Sequence, residues 1–217
     1  MLNPQQNKKL LQKLSHCLEV FEPYLFEPQG KLDYRMFETR EHLRAVPPDE
    51  CFHAPVPHWG GPWQTCWFKG RYQPSEQLAG RALYLMPRVG GYEAMLWVDG
   101  MPKGTFATKI VVTRHGNHYC DLLRLEPKAG EVIDIVIEAY AGHHVIGTQP
   151  FETNPVPSYR YTFESIDICT KNQDIADFIY DLRCLNQLAE VMDEKSFRRA
   201  DVINCLAKVH ETVYYSP

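Results

Sequence analysis

The residues of this chain best suited to metal chemistry are its histidines, two of which, His143 and His144, are adjacent. Imidazole nitrogens bind zinc and other transition metals. Neighbouring residues of an extended segment point to opposite sides, however, so this pair rarely shares one metal ion, and a solvated or capping loop is the simpler interpretation beside contact with a ligand. The nearby His115, His118 and Asp121 have no spacing that demands a metal site. We therefore assign no metal ligand.

Three tryptophans, Trp59, Trp63 and Trp67, occur within nine residues. Aromatic rings of this kind stack on the apolar faces of sugars, and they also anchor sandwich cores. Trp67 lies within a strand pattern, which favours the core. Trp59 and Trp63 remain open to both interpretations. With His143 and His144 they are the candidate carbohydrate-binding residues.

The carboxylates and thiols form no recognisable catalytic arrangement. Glu93, Glu138 and Glu164 alternate with apolar residues in strand patterns, which predicts a solvated sheet face. Cys120 and Cys169 also lie on predicted strands without a visible base, which is typical of packing residues. No serine has the GxSxG context of a hydrolase nucleophile. We therefore predict no catalytic residue in this chain.

Composition excludes several classes of protein. The chain has 217 residues, a net charge of −4 and 44% hydrophobic residues, which is ordinary for a soluble globular protein but not for a dedicated nucleic-acid binder. No apolar run approaches the roughly 20 residues of a membrane span, and no signal peptide is recognisable. Seven scattered cysteines without a CxxC pair indicate reduced thiols and predict a cytoplasmic location.

Helical patterns occur at both ends of the chain. Asn3 is a good N-cap and Pro4 suits the first helical position. Leucines then recur at helical spacing until Pro23 ends the helix. After Asn172 a wide apolar stripe predicts a second helix, and a third follows Ser196.

Between these ends the pattern is that of β-structure. Residues 22–58 form a mixed connector in which 37–43 suit a short helix. Short strands punctuated by turn residues then predict an antiparallel sandwich, with strands at 65–72, 81–86, 92–98, 110–113, 118–123, 132–140 and 158–169. Asp99-Gly100 suits a type I′ turn. Along 158–169 the apolar residues move from odd to even positions, which predicts a bulge or bend near Ser165.

These elements predict three regions: an N-terminal helix and connector (1–58), a β-sandwich domain (59–170) and a helical segment (171–217). The fold class is mainly β with flanking α, an antiparallel sandwich of galactose-binding-like or jelly-roll type.

Several segments, taken in order, resemble the N-terminal domain of glycoside hydrolase family 38 α-mannosidases of the cytosolic and bacterial branch. The resemblance covers about residues 59–215. It is carried by Trp67-Phe68, Pro74, Gly80 to Leu85, Leu96 to Gly100 and Glu138-Ala139.

The resemblance implies an accessory sandwich ahead of a zinc-dependent retaining catalytic domain, which opens with a His-x-Asp metal motif. This sequence contains no His-x-Asp, so the zinc ligands and the nucleophile of the family match no residue here. Zinc is expected in the missing catalytic domain and no cofactor in this region, and the region alone is expected to be inactive.

The leading hypothesis is therefore a non-catalytic β-sandwich region of an α-mannosidase. Its partners would be its own catalytic domain and, for the parent enzyme, mannosides or oligosaccharides, with no nucleic acid and no membrane. The alternative is an independent carbohydrate-binding module that uses Trp59, Trp63 and the loop at 142–144. A third hypothesis is a homo-oligomer formed through the terminal helices.

Overall fold

A computed structural model describes residues 3–107, 122–142 and 158–215. The chain divides into two compact units. One combines Met1–Glu27 with Lys171–Pro217, and the other is formed by Pro28–Thr170.

The first unit contains three helices: α1 (Pro4–Phe21), α2 (Gln173–Val191) and α3 (Phe197–Tyr215). Asn3 and Gln6 form a reciprocal capping box at the start of α1, each side chain accepting the other's backbone N–H at 2.9 Å. The Asn172 side chain accepts the N–H of Ile175 and caps α2. All three helices begin where the sequence predicts.

The predicted apolar stripes of these helices form one core. Its buried residues are Leu10, Leu11, Leu14, Cys17, Leu182, Ala189, Ile203 and Leu206. Asn186 is a buried polar side chain of this unit and donates to the Ser15 hydroxyl at 2.9 Å. None of the helices in the described part of the chain is both long and apolar enough to cross a bilayer.

The second unit is built around a five-stranded antiparallel sheet. Its order is β2 (Tyr34–Thr39), β4 (Thr65–Tyr72), β9 (Ile133–Tyr140), β6 (Glu93–Val98) and β7 (Met101–Ala107). Phe68 lies opposite Ile137, which in turn lies opposite Leu96. This register places large apolar side chains of three strands on the same face.

A four-stranded sheet faces it, in the order β1 (Phe26–Lys31), β11 (Ser165–Lys171), β5 (Leu83–Arg88) and β8 (Leu122–Arg124). A two-residue ladder joins β3 (His58–Trp59) to β10 (Tyr161–Thr162). Leu85 and Ile168 from the four-stranded sheet share one buried core with Phe68, Leu96 and Ile135 from the five-stranded sheet. The predicted mainly β fold, an antiparallel sandwich with an N-terminal helix and C-terminal helices, is confirmed.

The connector differs from its prediction. Residues 34–39 form β2 instead of starting a helix, because Met36 is fully buried opposite Phe68 and the edge of β4 supplies the pairing. Strands β1 and β7 were also not predicted. The predicted strand at 110–113 and most of the one at 118–123 lie outside the described residues.

The predicted bend near Ser165 coincides with a change of pairing partner. The N–H of Phe163 donates to the Pro57 carbonyl at 3.1 Å, and the N–H of Glu164 donates to the Arg88 carbonyl at 2.9 Å. The chain thus leaves the short ladder and enters the four-stranded sheet, which explains the change in apolar phase.

Candidate functional site

One end of the sandwich concentrates unusual backbone conformations. Nine of the described residues have a left-handed backbone, and five of these lie here: Gly60, Trp63, Gly90, Gly91 and Gly142. We call this region the glycine–aromatic end, because tyrosine and tryptophan rings pack directly on its loops. Glycine adopts this backbone without strain, but a strained non-glycine residue such as Trp63 is typical of ligand sites in proteins, so this end is the leading candidate site.

Two of these glycines are required by both conformation and space. Gly60 has φ +74, and a Cβ there would lie 2.9 Å from the Cβ of Ala141. Gly142 has φ +62, and a Cβ there would lie 2.7 Å from the ring of Tyr92. Any side chain at either position would force the loops apart.

Trp59, one of the candidate binding residues, belongs to the core. Its side chain is 1% exposed, and its indole N–H donates to the Val89 carbonyl at 2.6 Å. Its ring centroid lies 5.5 Å from that of Phe68 and 5.3 Å from that of Tyr161. In this structure its ring therefore supports the loops from beneath and offers no face to a ligand.

Trp63 lies at the surface of the same end, with 57% of the residue exposed and φ of 63°. A left-handed conformation costs an L-residue roughly 1–2 kcal/mol, and it is a marked outlier for a bulky side chain. The conformation is held by the Trp63 N–H, which donates to the Gly142 carbonyl at 2.7 Å. The fold therefore fixes a strained and exposed tryptophan in place.

The loop that carries Trp63 is tied at several points. Glu38 accepts the N–H of Gly60 at 2.7 Å. The side chain of Gln64 accepts the N–H of Gly61, and the backbone N–H of Gln64 returns to the Gly61 carbonyl at 3.1 Å. The backbone of this loop is thus set before any ligand arrives.

Tyr159, Arg160 and Tyr161 complete this end, and sequence reasoning treated them only as strand residues. Tyr161 donates its hydroxyl to the Ala141 carbonyl at 3.0 Å, and burial raises the pKa of that phenol. Tyr159 is 38% exposed and packs edge-on against Tyr161. The Arg160 guanidinium donates to the Tyr159 carbonyl at 2.8 Å. In the sequence, the feature that could have pointed to these residues was the break in apolar–polar alternation before Ser165.

His143 and His144 directly follow Gly142 in sequence and lie outside the described residues, as do His115, His118 and Asp121. In the described part of the chain, no group of three or more His, Cys, Asp or Glu side chains could hold a metal ion.

Glu138 corrects the expectation of a solvated sheet face. It lies on the outer face of the five-stranded sheet, opposite Trp67 and Met95. The connector folds back over this face and forms a second apolar cluster with the sheet, which includes Leu43, Val46, Phe52, Trp67, Trp97 and Val136. Desolvation by this burial raises the pKa of Glu138. The Trp97 indole N–H, which donates to this carboxylate at 3.1 Å, lowers the pKa in part. These contacts indicate that the Glu138 carboxyl group has a structural role.

The thiols of the sandwich also have structural surroundings. Cys66 is fully buried, and desolvation, with the nearby charge of Glu38, raises the pKa of its thiol. Burial, with a further contribution from Asp167, raises the pKa of Cys169 to about 11. Thiols of this kind stay protonated near neutral pH and are poor nucleophiles.

No protein-family model matches this chain, and no curated protein matches its sequence. Among solved structures, it is similar to β-glucuronidase from Ruminococcus gnavus in complex with D-glucaro 1,5-lactone, at 10% identity and a TM-score of 0.46, covering 68% of this chain and 30% of that one. The same enzyme without ligand matches at 9% identity and a TM-score of 0.44, covering 68% and 29%. These neighbours are glycoside hydrolases, and this chain spans about 30% of their length.

Proposed function

We propose that this chain is the non-catalytic N-terminal β-sandwich region of an α-mannosidase of glycoside hydrolase family 38. Its role is to pack against the catalytic domain of the same protein and to shape the approach of the substrate.

The observation that carries this proposal is the placement of the segments that resemble the family. Trp67-Phe68 lies on β4, Glu138-Ala139 on β9 and Leu96 to Val98 on β6, and these three strands are direct neighbours in one sheet. Trp67 lies opposite Glu138, and Leu96 lies opposite Ile137. Three of the five segments that carry the resemblance are therefore neighbours in one sheet, and Gly80 to Leu85 leads into β5 of the other sheet.

The carboxylates of this sheet support a non-catalytic role. A retaining glycosidase places two carboxyl groups about 5–5.5 Å apart across the scissile bond. Glu138 instead lies beneath the connector and accepts the indole N–H of Trp97. Glu38 accepts the N–H of Gly60 and belongs to the support of the loop. Both groups are engaged in holding backbone and core together.

Two assays test the proposal. The purified 217-residue chain should not hydrolyse 4-nitrophenyl α-D-mannopyranoside with or without added zinc. The protein encoded by the whole reading frame should hydrolyse it in a zinc-dependent manner. Turnover by the 217-residue chain, or none by the whole protein, would overturn the proposal.

A second candidate function, independent carbohydrate binding, is favoured by the strained and exposed Trp63. Rigid aromatic rings at a surface provide stacking area at little cost in conformational entropy. Titration with mannose and oligomannosides should change the tryptophan fluorescence of the wild-type protein. A Trp63→Asn variant should show no such change. No response at millimolar sugar would exclude this function.

A further inference from the structure

A surface cleft lies in the helical unit, where the start of α1 meets the turn between α2 and α3; we call it the turn cleft. Pro4 and Asn7 of α1 and Glu194 and Lys195 of the turn line it, together with side chains of α3. Its volume is about 300 Å³. Pockets that hold small molecules measure roughly 300–1,000 Å³. The turn cleft therefore has room for a compact ligand.

The lining of the turn cleft carries charges of both signs. Glu194 supplies a carboxylate, whereas Lys195 and Arg199 supply cations. None of these three groups takes part in an ion pair among the described residues. A purely anionic ligand would be repelled by the carboxylate, and a purely cationic ligand would be repelled by the two cations. The lining therefore favours a ligand that carries both charges.

Arg199 is the part of the lining best placed to bind a carboxylate. Its Nε–H donates to the Ala189 carbonyl at 2.8 Å, which fixes the half-buried guanidinium against the end of α2. The planar guanidinium presents paired N–H groups that match the two oxygens of a carboxylate. Arg199 also lies in the first turn of α3, which contains no acidic residue. The positive end of the helix dipole adds to the attraction for an anion there.

Two other lining groups accept hydrogen bonds. The Oδ1 atom of Asn7 is buried, and no residue in the described ranges donates to it. A buried acceptor without a donor costs free energy, so this atom indicates a ligand with an N–H group. The Glu194 carboxylate lines the same cleft, and Asp193 fixes its turn by accepting the N–H of Lys195 at 2.8 Å. A protonated amine would donate to both acceptors.

The remaining surface of the turn cleft is partly apolar. Pro4, Ala200 and Ile203 contribute to it, and Ile203 is only 4% exposed because it belongs to the core of the helical unit. An aliphatic group that covers this surface gains free energy in proportion to the apolar area removed from water.

We propose that the turn cleft binds a free α-amino acid with an aliphatic side chain, such as leucine. The carboxylate of the ligand pairs with Arg199 and Lys195. Its ammonium group donates to Glu194 and to Asn7 Oδ1, and its side chain lies against the apolar surface. The site lies within the helical unit, so the inference does not depend on the function proposed for the sandwich.

The test compares L-leucine with two analogues that each lack one charged group. 4-Methylpentanoate is leucine without its amine, and 3-methylbutylamine is leucine without its carboxylate. Binding to the 217-residue chain is followed by NMR through the side-chain amide signals of Asn7 in ¹⁵N-labelled protein. We expect leucine to bind about tenfold more tightly than either analogue, because each analogue leaves a set of charged hydrogen bonds unmade.

A matched pair of variants assigns the site. Glu194→Gln should weaken leucine binding about tenfold but should not weaken binding of 4-methylpentanoate, which has no ammonium group. Glu190→Gln makes the same change at an exposed position of α2 outside the lining and should leave both affinities unchanged. Equal affinities for leucine and its analogues, or tighter binding of inorganic phosphate than of leucine, would overturn the proposal. No response to leucine at millimolar concentration would overturn it as well.

Discussion

The Asp99 carboxylate and the Arg124 guanidinium lie 2.6 Å apart and join the two sheets of the sandwich. Asp99 occupies the turn between β6 and β7 of the five-stranded sheet, and Arg124 ends β8 of the four-stranded sheet. The other oxygen of Asp99 accepts the N–H of Asp134 at 3.1 Å, which ties the turn to β9. Asp99 also adopts a left-handed backbone with φ of 52°. One aspartate therefore closes a turn and links both sheets.

Substitutions at Asp99 should separate these roles. Asp99→Asn tolerates the left-handed backbone and keeps an acceptor for Asp134, but it removes the ion pair. We expect it to lower the free energy of unfolding by about 0.5–1 kcal/mol, as for a partly exposed pair. Asp99→Ala is disfavoured in the left-handed backbone and loses both side-chain hydrogen bonds. It should lower the free energy of unfolding by about 2 kcal/mol or more. Urea denaturation measures both values, and equal losses for the two variants would contradict this assignment.

Glu138 should make the stability of the sandwich depend on pH. Its pKa is raised in the folded state above the ordinary value of 4.5. The folded state therefore binds the proton more tightly than the unfolded state does. The stability that Glu138 contributes is fully present below pH 4.5 and is lost as the pH rises through the folded pKa.

Glu138→Gln keeps an acceptor for the Trp97 indole and removes the buried charge. We expect it to raise the free energy of unfolding at pH 7 and to flatten the pH dependence above pH 4.5. Glu93→Gln, an exposed change on the neighbouring strand β6, serves as the control. Denaturation curves between pH 4 and 8 provide the comparison. A lower stability of Glu138→Gln at pH 7 would show that the carboxylate is stabilising and contradict the prediction.

Trp63 and Trp59 should differ sharply in what they contribute to stability. Trp63→Asn relieves a left-handed conformation that costs about 1 kcal/mol or more, which offsets the loss of a partly buried ring. We expect the free energy of unfolding to change by less than about 1 kcal/mol. Trp59→Ala, which empties a core position, should cost about 3–5 kcal/mol. A loss of that size at Trp63 would mean that this tryptophan serves packing and not ligand contact.

The cysteines should differ in their reactivity. Cys184 and Cys205 are exposed on α2 and α3, whereas Cys66 and Cys169 are buried with raised pKa values. Because the thiolate is the reacting form, we expect iodoacetamide at pH 8 to alkylate the two exposed helical thiols before Cys66 and Cys169. Peptide mapping by mass spectrometry assigns each site. Alkylation of Cys66 in the folded protein at the rate of Cys184 would contradict the burial described here.

Local patterns in the sequence were sufficient for much of this fold. Alternating Ile133, Ile135 and Ile137 predicted a strand with one buried face, and all three are fully buried. Asp99 and Gly100 predicted a type I′ turn, and both have positive φ. Asn3 and Pro4 predicted the start of α1. In each case the physical cause lies within a few neighbouring residues.

Features that depend on distant parts of the chain were not predictable in this way. Strand β2 forms because Met36 fits a core completed by Phe68, and the connector covers Glu138 because Phe52 packs on Trp67 and Trp97. The same holds for the candidate site. Trp63 was named from its residue type, but its left-handed backbone arises from a bond to Gly142, far along the sequence. Tyr159 comes to lie beside Gly60, Gly61 and Pro62 only through the packing of the folded loops.

The parentage of the chain is tested most directly by the nucleotide sequence of its gene beyond the codon for Pro217. If this sandwich supports a zinc-dependent mannosidase domain, the frame should stay open and encode a His-x-Asp motif within roughly the next 30 residues, where the metal site would begin. A stop codon immediately after Pro217, or a long open frame without that motif, would contradict the account.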